Sequence, residues 1–250
     1  MIDIKHSPGR VRLILDAPHG NAITDAMVAS LRAALRSIAP PVKLVTIEGA
    51  GSDFSFGASI DEHAPDRMRD VLPRFHALVV ELLRVPAVTA AAVSGRCLGG
   101  GFEIALACDV IIAAKNAVLG FPEIGVGAFP PVGSILLPLK AGAARAAAAI
   151  LDGAARPAAE WHAAGIVHRL AAEDRVSAAV DAWFSSTIER YSAAVLQRAA
   201  MATRLVVLRA ADALLPQVEQ LYVKDLLSTA DAAEGVTAFL EKRPPRWKDA

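Results

Sequence analysis

The stretch Ala91-Ala92-Val93-Ser94-Gly95-Arg96-Cys97-Leu98-Gly99-Gly100-Gly101-Phe102-Glu103 decides how this chain is read. It leaves an apolar strand, passes three consecutive glycines and opens an apolar helix. The first N–H groups of a helix have no acceptor inside it, and the helix dipole adds partial positive charge there. A developing negative charge on a ligand fits such a place. These residues alone leave open whether the charge is a phosphate or an enolate. The next residues narrow the choice. A phosphate-binding loop continues with Lys-Ser or Lys-Thr, whereas Phe102-Glu103 follows here. A carboxylate repels a phosphate but can act as a base beside an enolisable carbon. A second carboxylate, Glu123, comes in Gly120-Phe121-Pro122-Glu123-Ile124-Gly125. The plainer readings are a glutamate favoured by a first helical turn, a surface-loop charge, and glycines that pack helix against strand. The last of these is compatible with ligand binding.

Working outward, Val11–Leu15 alternates as a strand, Pro18-His19-Gly20-Asn21 reads as a turn, and Thr24 caps a helix reaching about Ile38. Val42–Glu48 is a nearly continuous apolar strand closed by Gly49-Ala50-Gly51, and Ala87–Val93 and Val110–Ala113 are further strands. Helical periodicity recurs over Arg67–Leu83 and Ala143–Leu151. Buried strands separated by helices predict an α/β fold with a mixed or parallel sheet. From about Ala158 the strand signal disappears. Helices are predicted over 174–190, 192–213, 216–228 and 231–241, and Pro244-Pro245 prevents further helix. The chain thus divides into a core over 1–190 that carries the ligand site and a helical region over 191–250. That region either covers the core or mates with another subunit.

Lys plus Arg and Asp plus Glu each number 26 in 250 residues, so the formal net charge is zero. Nucleic acid is not expected as a partner, because phosphate backbones call for a basic excess. A hydrophobic fraction of 54% and a mean hydropathy of +0.40 invite a membrane reading, which fails on inspection. Val85–Val93 is far shorter than the roughly 20 residues of a span, and Asp109 interrupts Ile104–Ala114. Met1 to His6 lacks an apolar signal core, and Cys97 and Cys108 sit in apolar segments where buried reduced thiols are expected. The expected location is cytoplasmic. The six histidines show no metal spacing, so no metal site is expected.

On these residues the chain resembles the crotonase superfamily, the enoyl-CoA hydratases and isomerases, over nearly its whole length. Leu15-Asp16-Ala17-Pro18 through Asn21-Ala22 is similar to that family's early turn, and Phe54 to Glu62 to its Phe-Ser-Ala-Gly-Ala-Asp segment. Gly95 to Asp109 follows its glycine–glutamate pattern, and Phe121-Pro122-Glu123 its second glutamate motif. Ala163–Val167 and Phe239–Arg243 match late signatures. The resemblance implies a spiral of ββα repeats with a helical C-terminal region that forms trimers, commonly paired into hexamers. It implies an oxyanion hole from the N–H groups of Ala58 and Gly100, and Glu103 and Glu123 as the pair that holds water and exchanges protons. The implied reaction is hydration of an α,β-unsaturated acyl-CoA, with coenzyme A part of the substrate and no separate cofactor. Double-bond isomerisation, or a silent acyl-CoA-binding protein, are the alternatives.

The chain departs from the family pattern in two places. Ser59 stands where an acidic residue is usual. Phe129-Pro130-Pro131-Val132-Gly133-Ser134 replaces a glycine-containing segment, and Pro131 has no N–H to help hold a water. The Phe-Ser-Phe-Gly-Ala-Ser segment and the Pro-Pro loop are similar to the branch that hydrates cyclic dienoyl-CoA in aromatic-acid breakdown. Phe56, Gly57, Phe129, Pro131 and Lys242 are candidates for contacts with the acyl group or coenzyme A. His63 and His76 are weaker candidates for the acyl pocket. Asp109, Trp161 and His162 are expected to be structural.

Overall fold

The computed structural model describes residues 1–59 and 65–249. Ile60, Asp61, Glu62 and His63, singled out above, lie outside the described residues. The strands β1 (Ile2–Ser7), β2 (Arg10–Leu15), β3 (Leu44–Gly49), β4 (Val88–Val93), β6 (Val110–Ala114) and β9 (Arg169–Ala171) form a six-stranded sheet in the order β1-β2-β3-β4-β6-β9. The β1–β2 pair is antiparallel and the others are parallel. The predicted strands are those at its centre, where Leu-Val-Thr-Ile and Ala-Ala-Ala-Val are buried on both faces. Short β5 (Arg96–Leu98), β7 (Val118–Gly120) and β8 (Arg156–Pro157) make a second sheet.

Helix α1 (Pro18–Asn21) is a single kinked turn, and α2 (Asp25–Ser37) is capped by Thr24, whose side chain accepts the Met27 N–H. Helix α3 (Pro65–Leu83) packs on α2, and α4 (Gly100–Ala107) is buried at every residue. Then come α5 (Gly133–Ala141), α6 (Ala143–Leu151), α7 (Ala158–Ala163), α8 (Val176–Trp183), α9 (Ala193–Gln220) and α10 (Ala230–Leu240).

Three sequence expectations need correction. Strand structure does not end near Ala158: Arg169–Ala171 adds to the sheet edge beside β6, too short a run to show alternation. The helices expected over 192–213 and 216–228 are one helix running through Pro216, followed by a π-helical turn at Leu221–Asp225. Buried Ala211 and Leu215 pack beside the proline and hold the helix where propensity alone would break it. Residues Gly133–Ala141, past the Pro-Pro segment, form a helix that the sequence reading did not predict.

The expected structural residues behave as such. Trp161 donates its indole N–H to the Leu119 carbonyl at 2.9 Å, and Asp109 accepts the Thr89 N–H at 2.8 Å. His162 Nδ1 lies 2.8 Å from the Val167 carbonyl. Cys97 and Cys108 are buried and free. No helix among the described residues is long and apolar enough to cross a membrane.

Candidate active site

The sequence Ser55-Phe56-Gly57-Ala58 is drawn against the glycine run by specific bonds. Asn21 donates its side-chain amide to the carbonyls of Ala50 and Asp53, both at 2.9 Å. Ser55 donates its hydroxyl to the Asn21 carbonyl at 2.8 Å and accepts the Gly57 N–H at 3.1 Å. The Ser55 carbonyl in turn accepts the Leu98 N–H. Ile23 donates to the Gly57 carbonyl and accepts from Ser59, leaving the Ala58 N–H between them without a protein acceptor. The Gly100 N–H, at the start of α4, is likewise unpaired. The two groups are neighbours: a Cβ on Gly100 would sit 3.5 Å from the Ala58 nitrogen. Gly57 at φ +97° and Gly99 at φ +50° adopt conformations that side-chain-bearing residues rarely hold.

Glu103 lies on α4 with 3% exposure. Among the described residues, no cation meets its carboxylate. The Gly133 N–H, in the first turn of α5, donates to Glu103 Oε1 at 2.8 Å. Burial pushes the Glu103 carboxyl up to about 7, against the lowering effect of the Gly133 and Val132 N–H groups. Glu123 comes from a 3-10 turn, Pro122–Val126, against which α10 packs. A Cβ on Gly99 would lie 2.7 Å from Glu123 Oε1, so this carboxylate rests against the glycine run. Glu123 Oε2 is buried without a hydrogen-bond partner. Burial, and then the Glu103 charge, push Glu123 up to about 8. Buried carboxylates with no cation are costly to keep and concentrate at functional sites.

The structure thus brings Ala58, Gly100, Glu103 and Glu123 together, with Gly57 supporting them. Phe129 is half-buried and its ring lies 5.1 Å from that of Tyr222, while Pro131 is buried before α5. Phe56 stands at the surface. Its exposed ring sits 4.0 Å under the Arg96 guanidinium, at a 430 Å³ cavity also lined by Asp16, Gly20 and Asp53. Lys242 is exposed just past α10. His76 is buried with Nδ1 3.0 Å from Glu219, joining α3 to α9. Sequence reasoning missed Gly133 as a partner of Glu103, and it missed Tyr222. A glycine after two prolines was the available signal for the first, while a tyrosine in a helical region gives none for the second. Among the described residues no group of three or more His, Cys, Asp or Glu is placed to hold a metal.

Residues 9–250 match the sequence profile of the family described as enoyl-CoA hydratase/isomerase. The chain belongs to that family. It is 41% identical over 241 residues to a cyclohexa-1,5-dienecarbonyl-CoA hydratase of Thauera aromatica, covering 96% of this chain and 93% of the relative. It is 35% identical over 213 residues to a probable enoyl-CoA hydratase of Mycobacterium bovis, covering 83% and 81%. The crystal structure of an enoyl-CoA hydratase from Mycobacterium avium subsp. paratuberculosis superposes with a TM-score of 0.88 at 30% identity, covering 99% and 98% of the two chains. The crotonase fold and an enzyme of the enoyl-CoA hydratase type follow from these matches.

Proposed function

We propose that this enoyl-CoA hydratase family member adds water to a conjugated cyclic acyl-CoA thioester. The observation that carries the reading is the convergence of two backbone N–H groups, on Ala58 and Gly100, unpaired among the described residues, beside the carboxylates of buried Glu103 and half-buried Glu123. The N–H pair binds the thioester oxygen and stabilises the enolate formed as water adds; one such donor typically contributes about 2.7–4 kcal/mol. Glu103, whose charged form the Gly133 N–H stabilises, takes a proton from water. Glu123, raised by burial and by the Glu103 charge, gives its proton to carbon. The exposed ring of Phe56, beside Arg96, offers a stacking surface to coenzyme A. Lys242 is assigned a phosphate contact.

The cyclic substrate is supported by the relative named cyclohexa-1,5-dienecarbonyl-CoA hydratase and by the apolar bulk of Phe129 and Pro131, against which a flat ring packs. A panel of linear and cyclic enoyl-CoAs, followed by loss of thioester absorbance, tests this. The expected result is a higher kcat/KM for cyclic dienoyl-CoA than for crotonyl-CoA, with Pro131→Gly shifting the ratio toward crotonyl-CoA. Efficient crotonyl-CoA hydration with no cyclic turnover refutes the substrate assignment. Double-bond migration without hydration replaces it with the isomerase, and binding without turnover with a silent acyl-CoA-binding protein.

Assembly into a homotrimer or hexamer is part of the same reading. Val195, Leu205, Val206 and Leu214 on α9, and Phe239 and Leu240 at the end of α10, are exposed in the single chain. Sedimentation at micromolar concentration should give a trimer or hexamer, and a monomer contradicts it.

A further inference from the structure

One buried polar side chain beside the two glutamates has no task in the scheme above. Tyr222 lies in the π-helical turn that continues α9 and is 3% exposed. Its ring meets that of Phe129 at 5.1 Å, tilted by 59°, in a small apolar cluster with Met68, Leu72 and Ala128 that stands apart from the main core. This cluster adjoins the Glu123 turn, since the Ala128 N–H donates to the Glu123 carbonyl at 3.0 Å. Burial, and then the charges of Glu123 and Glu103, raise the pKa of the phenol, so it keeps its proton and stays a donor. Nearby, Glu123 Oε2 has no hydrogen-bond partner among the described residues, and Pro131 has no N–H.

The geometry points to Tyr222 as a third polar group of the reaction cleft: its hydroxyl donates a hydrogen bond to the oxygen being added, and its ring joins Phe129 as the wall beside the acyl group. This assignment rests on the hydratase reading. The balance of the step is unchanged by it. The water oxygen bonds to one carbon of the conjugated system, one water proton goes to Glu103, and Glu123 delivers its proton to the other carbon. The phenol forms no covalent bond and keeps its proton throughout. It holds in place the oxygen that a backbone N–H at position 131 cannot hold.

The test is steady-state hydration by the full-length protein and its Tyr222→Phe variant, with cyclic dienoyl-CoA and crotonyl-CoA as substrates. Tyr222→Phe keeps the ring and its tilted contact with Phe129. It should lower kcat by ~10–100-fold, the range of one lost hydrogen bond to a charged or developing-charge partner. KM and the thermal unfolding midpoint should stay close to those of the unaltered protein. Tyr222→Leu, which also removes the ring, should in addition raise KM for the cyclic substrate more than for crotonyl-CoA. Unchanged kcat in Tyr222→Phe overturns the assignment and leaves the hydratase reading standing. A drop in activity that tracks a drop in unfolding midpoint also overturns it, by making Tyr222 a packing residue. An unaltered protein that hydrates no enoyl thioester removes the hydratase reading and this assignment with it.

Discussion

Glu103→Gln and Glu123→Gln should each lower hydration turnover by ~10²–10⁴-fold, the usual contribution of one acid–base group, while the protein gains stability in alkaline solution. Glutamine keeps the shape of either side chain, and at position 103 it can still accept the Gly133 N–H. It cannot move a proton. The stability effect follows from the direction of the pKa shifts. Both carboxyls titrate above the ordinary glutamate value of 4.5, at about 7 and about 8, so folding favours their protonated forms. Their contribution is full below pH 4.5 and is lost as pH rises through 7 and 8. Above pH 8 the unaltered protein must hold two buried charges, and each variant holds one. Unfolding midpoints measured on both sides of this window should therefore diverge on the alkaline side alone. Activity of the unaltered protein should be bell-shaped, because the reaction needs one ionised and one protonated carboxyl. In Glu103→Gln, Glu123 loses the neighbouring charge that raises it and titrates lower. A Glu123→Gln variant with normal turnover would remove Glu123 from the mechanism and favour a one-glutamate isomerisation.

The candidate site is legible in sequence because its parts are local. Gly99-Gly100-Gly101 followed by Glu103 places donor and carboxylate within one helical turn of each other, and Phe54 to Ala58 presents a turn whose spacing alone suggests close approach. The central strands are legible for a similar reason: β3 and β4 are buried runs bounded by glycine or charge. What escaped depends on contacts distant in sequence. The Gly133 N–H reaches Glu103 across 30 positions, and α5 itself was hidden because two prolines precede it and a third, Pro138, lies inside it. Tyr222 meets Phe129 only because α9 continues past Pro216, which propensity argues against. The edge strand β9 is defined by its pairing to β6, not by any pattern within Arg169–Ala171.

Arg204→Ala should destabilise the fold by ~3–5 kcal/mol, the cost of breaking a buried ion pair from one side. Arg204 leaves the face of α9 and is 4% exposed, between the carbonyls that end α3 and those that lead into β4. Its guanidinium donates to Val85 at 2.8 Å and Ala87 at 2.7 Å, and its Nε donates to Asp109 Oδ1 at 2.7 Å. Asp109 also accepts the Thr89 N–H, so one side chain fastens α9 to the turn after α4 and to the start of β4. Alanine would leave the Asp109 carboxylate without its cation, held by Thr89 alone, and would take the guanidinium donors from the Val85 and Ala87 carbonyls. Such a loss is a large fraction of the ~5–15 kcal/mol that separates folded from unfolded domains, and equilibrium denaturant unfolding would measure it. Removing both charges together, as Arg204→Met with Asp109→Asn, should cost less than Arg204→Ala alone, because no ion is then stranded. A change below ~1 kcal/mol for Arg204→Ala would place the anchoring of α9 in its apolar contacts. The functional consequence runs through the same helix. Arg204 sets where α9 lies, and α9 carries Glu219 to His76 and leads on to Tyr222. Loosening it should lower activity without altering either glutamate.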